Sequence, residues 1–255
     1  MLKYKSYTLQ NYKNLPQMSS VSKEDIEAIE IVGRVLPFKT NNYVVEQLID
    51  WNNIPNDPIF TLSFPRKEML HVEHYDNIKN MLDKRDYSAL DGYVETIRQG
   101  LNPNPSGQQH NIPEIDGIKL DGMQHKYKET VLLFPKQGQT CFAFCSFCFR
   151  WSQFSNMKKL KFSMEKNMDL YFKYIKLHPE ITDILLTGGD SMTMNCELLE
   201  TYIEPFLKPE MEHIKTIRIG TKSLSYWPYR YTTDNDADDI IRLFEKIVKS
   251  GKHLS

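Results

Sequence analysis

Short apolar runs alternate with amphipathic stretches in the second half of the chain, and this alternation restricts the fold more than any other feature. The apolar runs are at residues 131–134, 184–186 and 217–219. Helices are expected between and after them, at about residues 164–177, 196–207 and 236–250. Strands buried between helices read as continuous apolar runs of this kind. The pattern therefore predicts an α/β fold built from parallel βα units.

The last residues continue the same alternation. Gly251 is expected to close the last helix, and a new strand is expected to start at His253-Leu254-Ser255. Three βα units cannot close a barrel, and a parallel sheet left open would expose an apolar edge strand. We therefore expect either a truncated chain or a partner that completes the sheet, as a homo-oligomer or as another protein chain.

The first part of the chain has a different pattern. Residues 1–110 are predicted to form a mainly helical N-terminal region, and residues 111–255 a separate α/β domain. Residues 101–122 contain three prolines and three glycines among many polar residues, so a loop or linker is expected between the two.

Helix signals are clearest near Ser22, which suits an N-cap and is followed by acidic residues and an apolar helical stripe. This first helix is expected to end at Gly33 or Pro37. Two further helices are expected, at residues 67–83 and 88–99. Gly100 is the predicted C-cap of the last one.

The charge balance excludes several kinds of partner. Lys and Arg number 32 and Asp and Glu number 33, which gives a formal net charge of -1. Such a chain has no overall field that attracts nucleic acid or an anionic membrane. No signal peptide is recognisable, and no apolar run approaches the ~18 residues that a membrane span requires. A cytoplasmic location is expected, without nucleic-acid or membrane partners.

Three of the four cysteines, Cys141, Cys145 and Cys148, form a C-x3-C-x2-C array directly after the first apolar run. Their spacing is too tight for the disulfide framework of a secreted domain. Thiolates favour iron-sulfur clusters, zinc or Cu(I), and a closed iron-sulfur site takes four of them. Three ligands would leave one iron open to a substrate or cofactor, as catalytic metals require.

Two simpler interpretations remain open at this point. A structural zinc site would need a fourth ligand, which His125, His178 or Cys196 could supply through a tertiary contact. Alternatively the thiols could be inert core residues among neighbouring aromatics. Those aromatic residues are Phe142, Phe144, Phe147 and Phe149. The position of the array on a loop after a strand favours a site over a core.

The array with an aromatic residue, Phe147, before its last cysteine resembles the motif of the radical S-adenosylmethionine superfamily, whose members share a partial (βα)6 barrel. The flanking segments are similar to those of its lysine 2,3-aminomutase-like group, over about residue 111 to the C-terminus. These segments are Gln124-His125-Lys126-Tyr127, Leu186-Thr187-Gly188-Gly189-Asp190 and Ile217-Arg218-Ile219-Gly220-Thr221-Lys222. The implied fold is the N-terminal half of a partial barrel of this type, truncated after about three βα units.

The resemblance implies a chemistry. Cys141, Cys145 and Cys148 would hold a four-iron, four-sulfur (4Fe-4S) cluster that cleaves S-adenosyl-L-methionine reductively, followed by hydrogen abstraction from a small, amino-acid-like substrate. An isomerase of the amino acid 2,3-aminomutase kind is the family expectation, with an electron donor such as flavodoxin or ferredoxin. The family's pyridoxal phosphate lysine is not assignable in this chain, nor is any catalytic residue.

Cofactor-binding residues are implied in the same way. Gly188, Gly189 and Asp190 would bind the amino group of the methionine moiety, although a turn with an Asp cap explains such a triplet equally well. Phe147 would pack on the adenine ring, or else in the core. Thr221 and Lys222 would lie near the ribose and the carboxylate, with a solvated surface charge as the alternative for the lysine.

The chain departs from the family pattern after the third cysteine. The aminomutases usually have several arginines there, whereas this sequence has Phe149-Arg150-Trp151-Ser152-Gln153-Phe154, with a single basic residue. Two rival interpretations therefore accompany the enzyme hypothesis. One is a structural zinc or iron-sulfur protein without turnover, and the other is a non-catalytic fragment of a radical enzyme.

Overall fold

A computed structural model of the chain describes residues 2–102, 110–155, 162–164 and 168–255. Contacts divide the chain into two compact units. The N-terminal unit consists of Leu2–Pro105 and Phe142–Leu160, and the sheet unit consists of Ser106–Cys141 and Lys161–Ser255, together with Met1. The division between them falls inside the cysteine array, directly after Cys141. The predicted domain boundary at residue 110 stays a prediction.

The N-terminal unit is mainly helical in its described part, with one small antiparallel pair of strands. Its regular elements are β1 (Ser6–Thr8), α1 (Lys23–Val35), β2 (Lys39–Asn41), α2 (Pro58–Ser63), α3 (Val72–Asp83) and α4 (Tyr87–Leu101). Strands β1 and β2 pair in the register Ser6↔Asn41 to Thr8↔Lys39. Apolar residues of α1, α3 and α4, including Val32, Ile78 and Val94, form a common buried core.

The predicted helices of this unit are confirmed, and one of the predicted ends is wrong. Ser22 caps α1 as expected, because its hydroxyl oxygen accepts a hydrogen bond from the Asp25 amide at 3.0 Å. The helix continues through Gly33, where the missing side chain makes room for Leu9, and ends at Val35, two residues before Pro37, the other predicted end. Gly100 is also inside its helix, because α4 continues to Leu101.

The sheet unit contains a mixed five-stranded sheet. The described strands of the whole unit are β3 (Glu114–Ile115), β4 (Ile118–Lys119), β5 (Met123–Tyr127), β6 (Thr130–Leu133), β7 (Asp183–Leu186), β8 (Thr216–Ile219) and β9 (His253–Leu254). The five-stranded sheet consists of β5 to β9. Strands β6 to β9 are parallel neighbours in chain order, and β3 and β4 form a separate hairpin. The three predicted apolar strands and the strand at His253 are confirmed. In register, Val131, Ile184 and Ile217 are fully buried side by side.

Strand β5 was not predicted. It pairs antiparallel with β6 and forms the edge of the sheet before it. Its sequence, Met-Gln-His-Lys-Tyr, has no apolar run, because an edge strand is buried on fewer sides than a central one. The fold is therefore a mixed α/β arrangement with a mostly parallel sheet, as expected in its coarse features.

Helices α5 (Asp169–Leu177), α6 (Cys196–Ile203), α7 (Ser223–Tyr226) and α8 (Ala237–Lys249) lie in the loops that join the parallel strands. Three of them match the predicted helices, and α7 was not predicted. Gly251 follows α8 with φ +80°, a conformation that glycine adopts without strain. Within the described ranges, no helix has the length and apolar character needed to cross a membrane.

Candidate functional site

The loops that follow β6, β7 and β8 meet at Asp190, at the carboxyl edge of the parallel strands. The Asp190 amide donates to the Thr140 carbonyl at 2.6 Å and to the Gly138 carbonyl at 3.1 Å. Its carboxylate accepts from the Thr221 hydroxyl at 2.6 Å and from the Lys222 amide at 2.8 Å. Asp190 therefore ties the loop leading into Cys141 to the loop after β8. Ligand sites of α/β folds lie at this edge.

Gly188 and Gly189 are required by close packing. A Cβ atom on Gly189 would lie 2.2 Å from the Thr140 carbonyl oxygen, which belongs to the backbone. A Cβ atom on Gly188 would lie 2.0 Å from the Gln139 side-chain nitrogen, and this glycine also has φ +136°. The segment leading into Cys141 thus packs directly against both glycines.

Asp190 is buried, with 3% of the residue exposed. Burial raises its pKa, because a charged carboxylate loses hydration there, while hydrogen bonds from Thr221, Lys222 and the Met192 amide act in the opposite direction. The bond from the Met192 amide, at 3.0 Å, also caps the short turn that follows. The predicted Asp cap is therefore present, in addition to the contacts with the β8 loop.

A chain of hydroxyl groups continues from Thr221. The Ser223 hydroxyl lies 2.6 Å from the Thr221 hydroxyl and 2.6 Å from the Tyr231 hydroxyl. Ser223 is fully buried, and burial raises the pKa of Tyr231. Lys222 between them is exposed, with its ammonium group 5.9 Å from the centre of the Tyr226 ring. Thr221 and Lys222 were predicted from the sequence as candidate cofactor-binding residues, but Ser223 and Tyr231, which are hydrogen-bonded to this segment, were not.

Arg230 is a buried cation that sequence reasoning also missed. It donates to the Met192 carbonyl at 2.9 Å and the Met194 carbonyl at 2.9 Å, and it forms an ion pair with Asp236 at 2.6 Å. It therefore holds the segment directly after Asp190. The sequence signal that could have pointed to it was an arginine within the aromatic run 226–231, because a charge buried among aromatic residues requires partners.

The cysteine array after Cys141 belongs to the N-terminal unit, which holds it through its backbone. The Phe142 carbonyl accepts from the Tyr4 hydroxyl at 3.0 Å and from the Asn41 side-chain amide at 3.1 Å. The Phe144 amide donates to the Lys39 carbonyl at 2.7 Å, and the Ser146 amide donates to the Leu62 carbonyl at 2.8 Å. None of these partners was predicted, because they lie far away in the sequence.

Cys145 and Cys148 are half-buried and line the same small cavity of about 40 Å³. The Cys148 amide donates to the Cys145 carbonyl at 3.0 Å, which closes a tight turn between the two. The remaining wall is mostly apolar and comes largely from the first seventy residues. It consists of Leu36, Pro37, Phe38, Ser63, Phe64, Pro65, Met69, Phe144, Ser146 and Trp151.

The aromatic residues around the thiols differ in exposure. Phe142 is 7% exposed, and the Phe144 ring stacks on Phe154 with centroids 4.9 Å apart. Phe147 and Phe149 are 65% and 82% exposed, so Phe147 does not pack in the core. The thiols are thus not enclosed in an aromatic core. Burial lowers the pKa of Arg150 to about 10, an effect that the nearby Cys148 opposes.

The two histidines among the alternative zinc ligands have other partners. The His125 ring nitrogens lie 2.8 Å from the Tyr174 hydroxyl and 3.2 Å from the Lys128 carbonyl oxygen. The His178 ring stacks on Tyr174, with its Nδ1 2.7 Å from the Tyr174 carbonyl oxygen. Burial raises the pKa of the Cys196 thiol at the start of α6.

The donor set fits an iron-sulfur cluster by its chemistry, because it offers three thiols in a short loop, two of them facing one cavity. Among the described residues, no three His, Cys, Asp or Glu side chains are already grouped to hold a single metal ion. The assignment of Cys141, Cys145 and Cys148 as ligands, and of the predicted cofactor-binding residues, stays a prediction.

Comparison with known proteins gives several relatives with one common description. No protein-family model matches the chain. It is 29% identical over 242 residues to a putative L-lysine 2,3-aminomutase of Aquifex aeolicus, which covers 94% of this chain and 53% of that protein. It is 26% identical over 227 residues to the L-lysine 2,3-aminomutase of Bacillus subtilis, covering 89% of this chain and 40% of that enzyme.

A third relative, the L-lysine 2,3-aminomutase of Acetoanaerobium sticklandii, is 30% identical over 203 residues, with 72% of this chain and 47% of that enzyme covered. The chain thus spans about half the length of these curated relatives. The resemblance seen in the motifs is confirmed, and the matched region includes N-terminal residues, whose likeness to the family was only loose. Across most of its length the chain is homologous to lysine 2,3-aminomutases, a group of radical S-adenosylmethionine enzymes.

Proposed function

We propose that the chain is the cluster-binding part of a radical S-adenosylmethionine enzyme related to the lysine 2,3-aminomutases. The observation that carries this proposal is the position of the C-x3-C-x2-C array. It begins directly after Thr140, in the loop that Asp190 ties to the carboxyl edge of the parallel sheet. Catalytic groups of α/β proteins with parallel strands lie at this edge.

In this proposal Cys141, Cys145 and Cys148 hold a 4Fe-4S cluster. When bound, the cluster supplies the electron for reductive cleavage of S-adenosyl-L-methionine, on which hydrogen abstraction from an amino-acid-like substrate depends. The chain's own contribution is to position the thiols and to exclude water from one side of Cys145 and Cys148 with the apolar cavity wall.

The sheet unit would position the S-adenosyl-L-methionine molecule. Gly188 and Gly189 offer backbone groups beside the loop that leads into Cys141, and Asp190 keeps the loop after β8 next to them. Thr221 and the exposed Lys222 supply polar groups there. Phe147, which belongs to the N-terminal unit, presents an exposed ring suited to stacking on an adenine.

We also propose the finer features that the family carries. These are a partial (βα) barrel, a 2,3-aminomutase reaction with pyridoxal phosphate, and an electron donor such as flavodoxin or ferredoxin. A partner chain or a further copy would complete the barrel.

Anaerobic reconstitution with iron and sulfide, followed by electron paramagnetic resonance of the reduced protein, tests the proposal. We expect a cluster signal that changes when S-adenosyl-L-methionine is added, because three thiolates would leave one iron of the cluster available to that molecule. A signal that the molecule leaves unchanged would indicate a structural iron-sulfur protein. A colourless protein loaded with zinc would contradict the proposal altogether.

The ligand assignment has a matched pair of variants. Cys145→Ala should abolish cluster loading, measured as iron per chain, because two thiolates cannot hold the cluster. Cys196→Ala should leave loading unchanged, since Cys196 lies at the start of α6 in the sheet unit, outside the array. Equal loss of iron in both variants would mean that the ligand set is wrong.

A further inference from the structure

We infer that the N-terminal unit acts as the holder of the cysteine array, and that Tyr4 and Asn41 are positioning residues for Cys145 and Cys148. This inference rests on the proposed function for the cluster itself. It assigns a role to the first part of the chain, which contributes none of the three cysteines, and it concerns contacts within the N-terminal unit alone.

The argument begins with the Phe142 carbonyl. Phe142 is 7% exposed, so its carbonyl oxygen is largely withdrawn from water and requires a protein donor. It has two such donors, the Tyr4 hydroxyl and the Asn41 side-chain amide. They come from positions 138 and 101 residues earlier in the chain. The backbone next to the first cysteine is therefore fixed by residues that no local signal connects to it.

Both donors are themselves held in place. The Asn41 side-chain oxygen accepts from the Val44 amide at 3.0 Å, and this bond turns the amide nitrogen toward Phe142. Asn41 is fully buried within β2. The Tyr4 ring contacts the Phe142 ring edge to face, with centroids 5.6 Å apart at 82°. Asn41 therefore does not have to be ordered before it binds the carbonyl, which increases the net contribution of its bond.

Anchoring recurs at every second residue of the segment. Phe142, Phe144 and Ser146 each form a backbone hydrogen bond with the N-terminal unit. Cys145 thus lies between two anchored residues, and the tight turn from its carbonyl to the Cys148 amide fixes the next thiol. The spacing of these two thiols therefore depends on Tyr4, Asn41 and the β2 backbone.

The same unit also determines the surroundings of the two thiols. Six apolar residues of the cavity wall come from the region before residue 70, namely Leu36, Pro37, Phe38, Phe64, Pro65 and Met69. Solvent exposure and hydrogen bonding control how firmly a cluster is held and its reduction potential. The N-terminal unit is placed to control both.

The deciding variant is Tyr4→Phe, which removes one hydrogen bond and keeps the ring that packs on Phe142. Two quantities are measured in the 255-residue chain. One is the rate of iron loss from the reconstituted protein to a chelator, and the other is the rate at which iodoacetamide alkylates Cys145 and Cys148 in the metal-free protein. We expect each rate to rise roughly fivefold, the effect of one net hydrogen bond on an equilibrium.

Asn41→Ala should have a larger effect, roughly tenfold or more, because it removes two bonds in a buried position. Since this variant could unfold the unit, Tyr4→Phe remains the test. Matched controls lie in the same unit. Tyr12→Phe removes a hydroxyl that donates to Glu30 at 2.8 Å, and Asn11→Ala removes two side-chain bonds to the β1 backbone. Both controls should leave iron loss and alkylation at the wild-type rates.

Three outcomes would overturn the inference, and they are distinguishable. If the wild type takes up a cluster but Tyr4→Phe loses iron and reacts with iodoacetamide at wild-type rates, the N-terminal unit does not position the thiols. If the control Tyr12→Phe accelerates both rates equally, the effect is a general loosening of the unit. A wild type that takes up no cluster would overturn the proposed function, and with it this inference.

Discussion

At the carboxyl ends of β6, β7 and β8 the polar side chains bind one another, whereas the 142–148 segment is bound through its backbone by the N-terminal unit. Asp190, with its carboxylate shared between Thr221 and the Lys222 amide, represents the first case. The Phe142 carbonyl, held by Tyr4 and Asn41, represents the second. A substitution at Asp190 or its partners is therefore expected to lower the stability of the sheet unit. A substitution at Tyr4 or Asn41 is expected first to disturb the position of the cysteines.

The largest expected effect tests the side-chain contacts of the sheet unit. Arg230→Ala should lower the free energy of unfolding by about 3 kcal/mol, because it removes a buried cation and leaves Asp236 without its ion-pair partner. Urea unfolding followed by circular dichroism measures it. The control is Arg242→Ala in α8, whose ion pair with Asp239 is exposed to solvent and should contribute little to stability. Similar losses of stability in the two variants would mean that the buried contacts of Arg230 stabilise the sheet unit no more than an exposed ion pair does.

A smaller effect is expected where the sheet unit packs backbone against backbone. Gly189→Ala should lower the free energy of unfolding by roughly 1–3 kcal/mol, because the new Cβ atom would overlap the Thr140 carbonyl oxygen. The same measurement applies. Gly100→Ala is the control, since nothing lies within 4 Å of its Cβ position in α4, and it should stabilise by about 0.5–1 kcal/mol.

Gly33 of the N-terminal unit, which is also closely packed, should tolerate substitution better than Gly189. In Gly33→Ala the new Cβ atom would lie 2.8 Å from the end of the Leu9 side chain, which can move. The gain in helix propensity should offset most of the clash, so the free energy of unfolding should change by less than about 1 kcal/mol. A loss as large as that of Gly189→Ala would show that the N-terminal unit is as tightly packed as the sheet edge.

The smallest effect is a change in pH dependence. Because burial raises the pKa of Asp190 above its usual 3.8, the unfolded chain releases this proton at a lower pH than the folded chain does. The contribution of Asp190 to stability is therefore largest below pH 3.8 and falls as the pH rises through the folded-state pKa. Asp190→Asn should remove this fall. Urea unfolding of both proteins at a series of pH values measures it, and parallel pH profiles would contradict the raised pKa.

Local sequence determined much of the fold. Fully buried parallel strands need apolar side chains on both faces, so the strands that contain Val131, Ile184 and Ile217 could be predicted from their apolar runs. Ser22 caps its helix through a bond to a residue three positions away, which is also a local signal. The edge strand β5 was not predicted because an exposed edge tolerates polar residues. The end of α4 was misplaced because glycine is permitted inside a helix.

The candidate site was predictable only in its chemistry. The sequence by itself determined the three-thiol array, its position after β6 and the likeness to a family of radical enzymes. Tertiary structure decided that Gly188 and Gly189 pack on the segment before Cys141, that Asp190 and Arg230 hold the loops, and that Tyr4 and Asn41 hold the cysteine backbone. Ligand identity follows from residue type and local spacing. Contacts between residues a hundred positions apart depend on the folding of the whole chain. They cannot be predicted from a pattern of neighbouring residues.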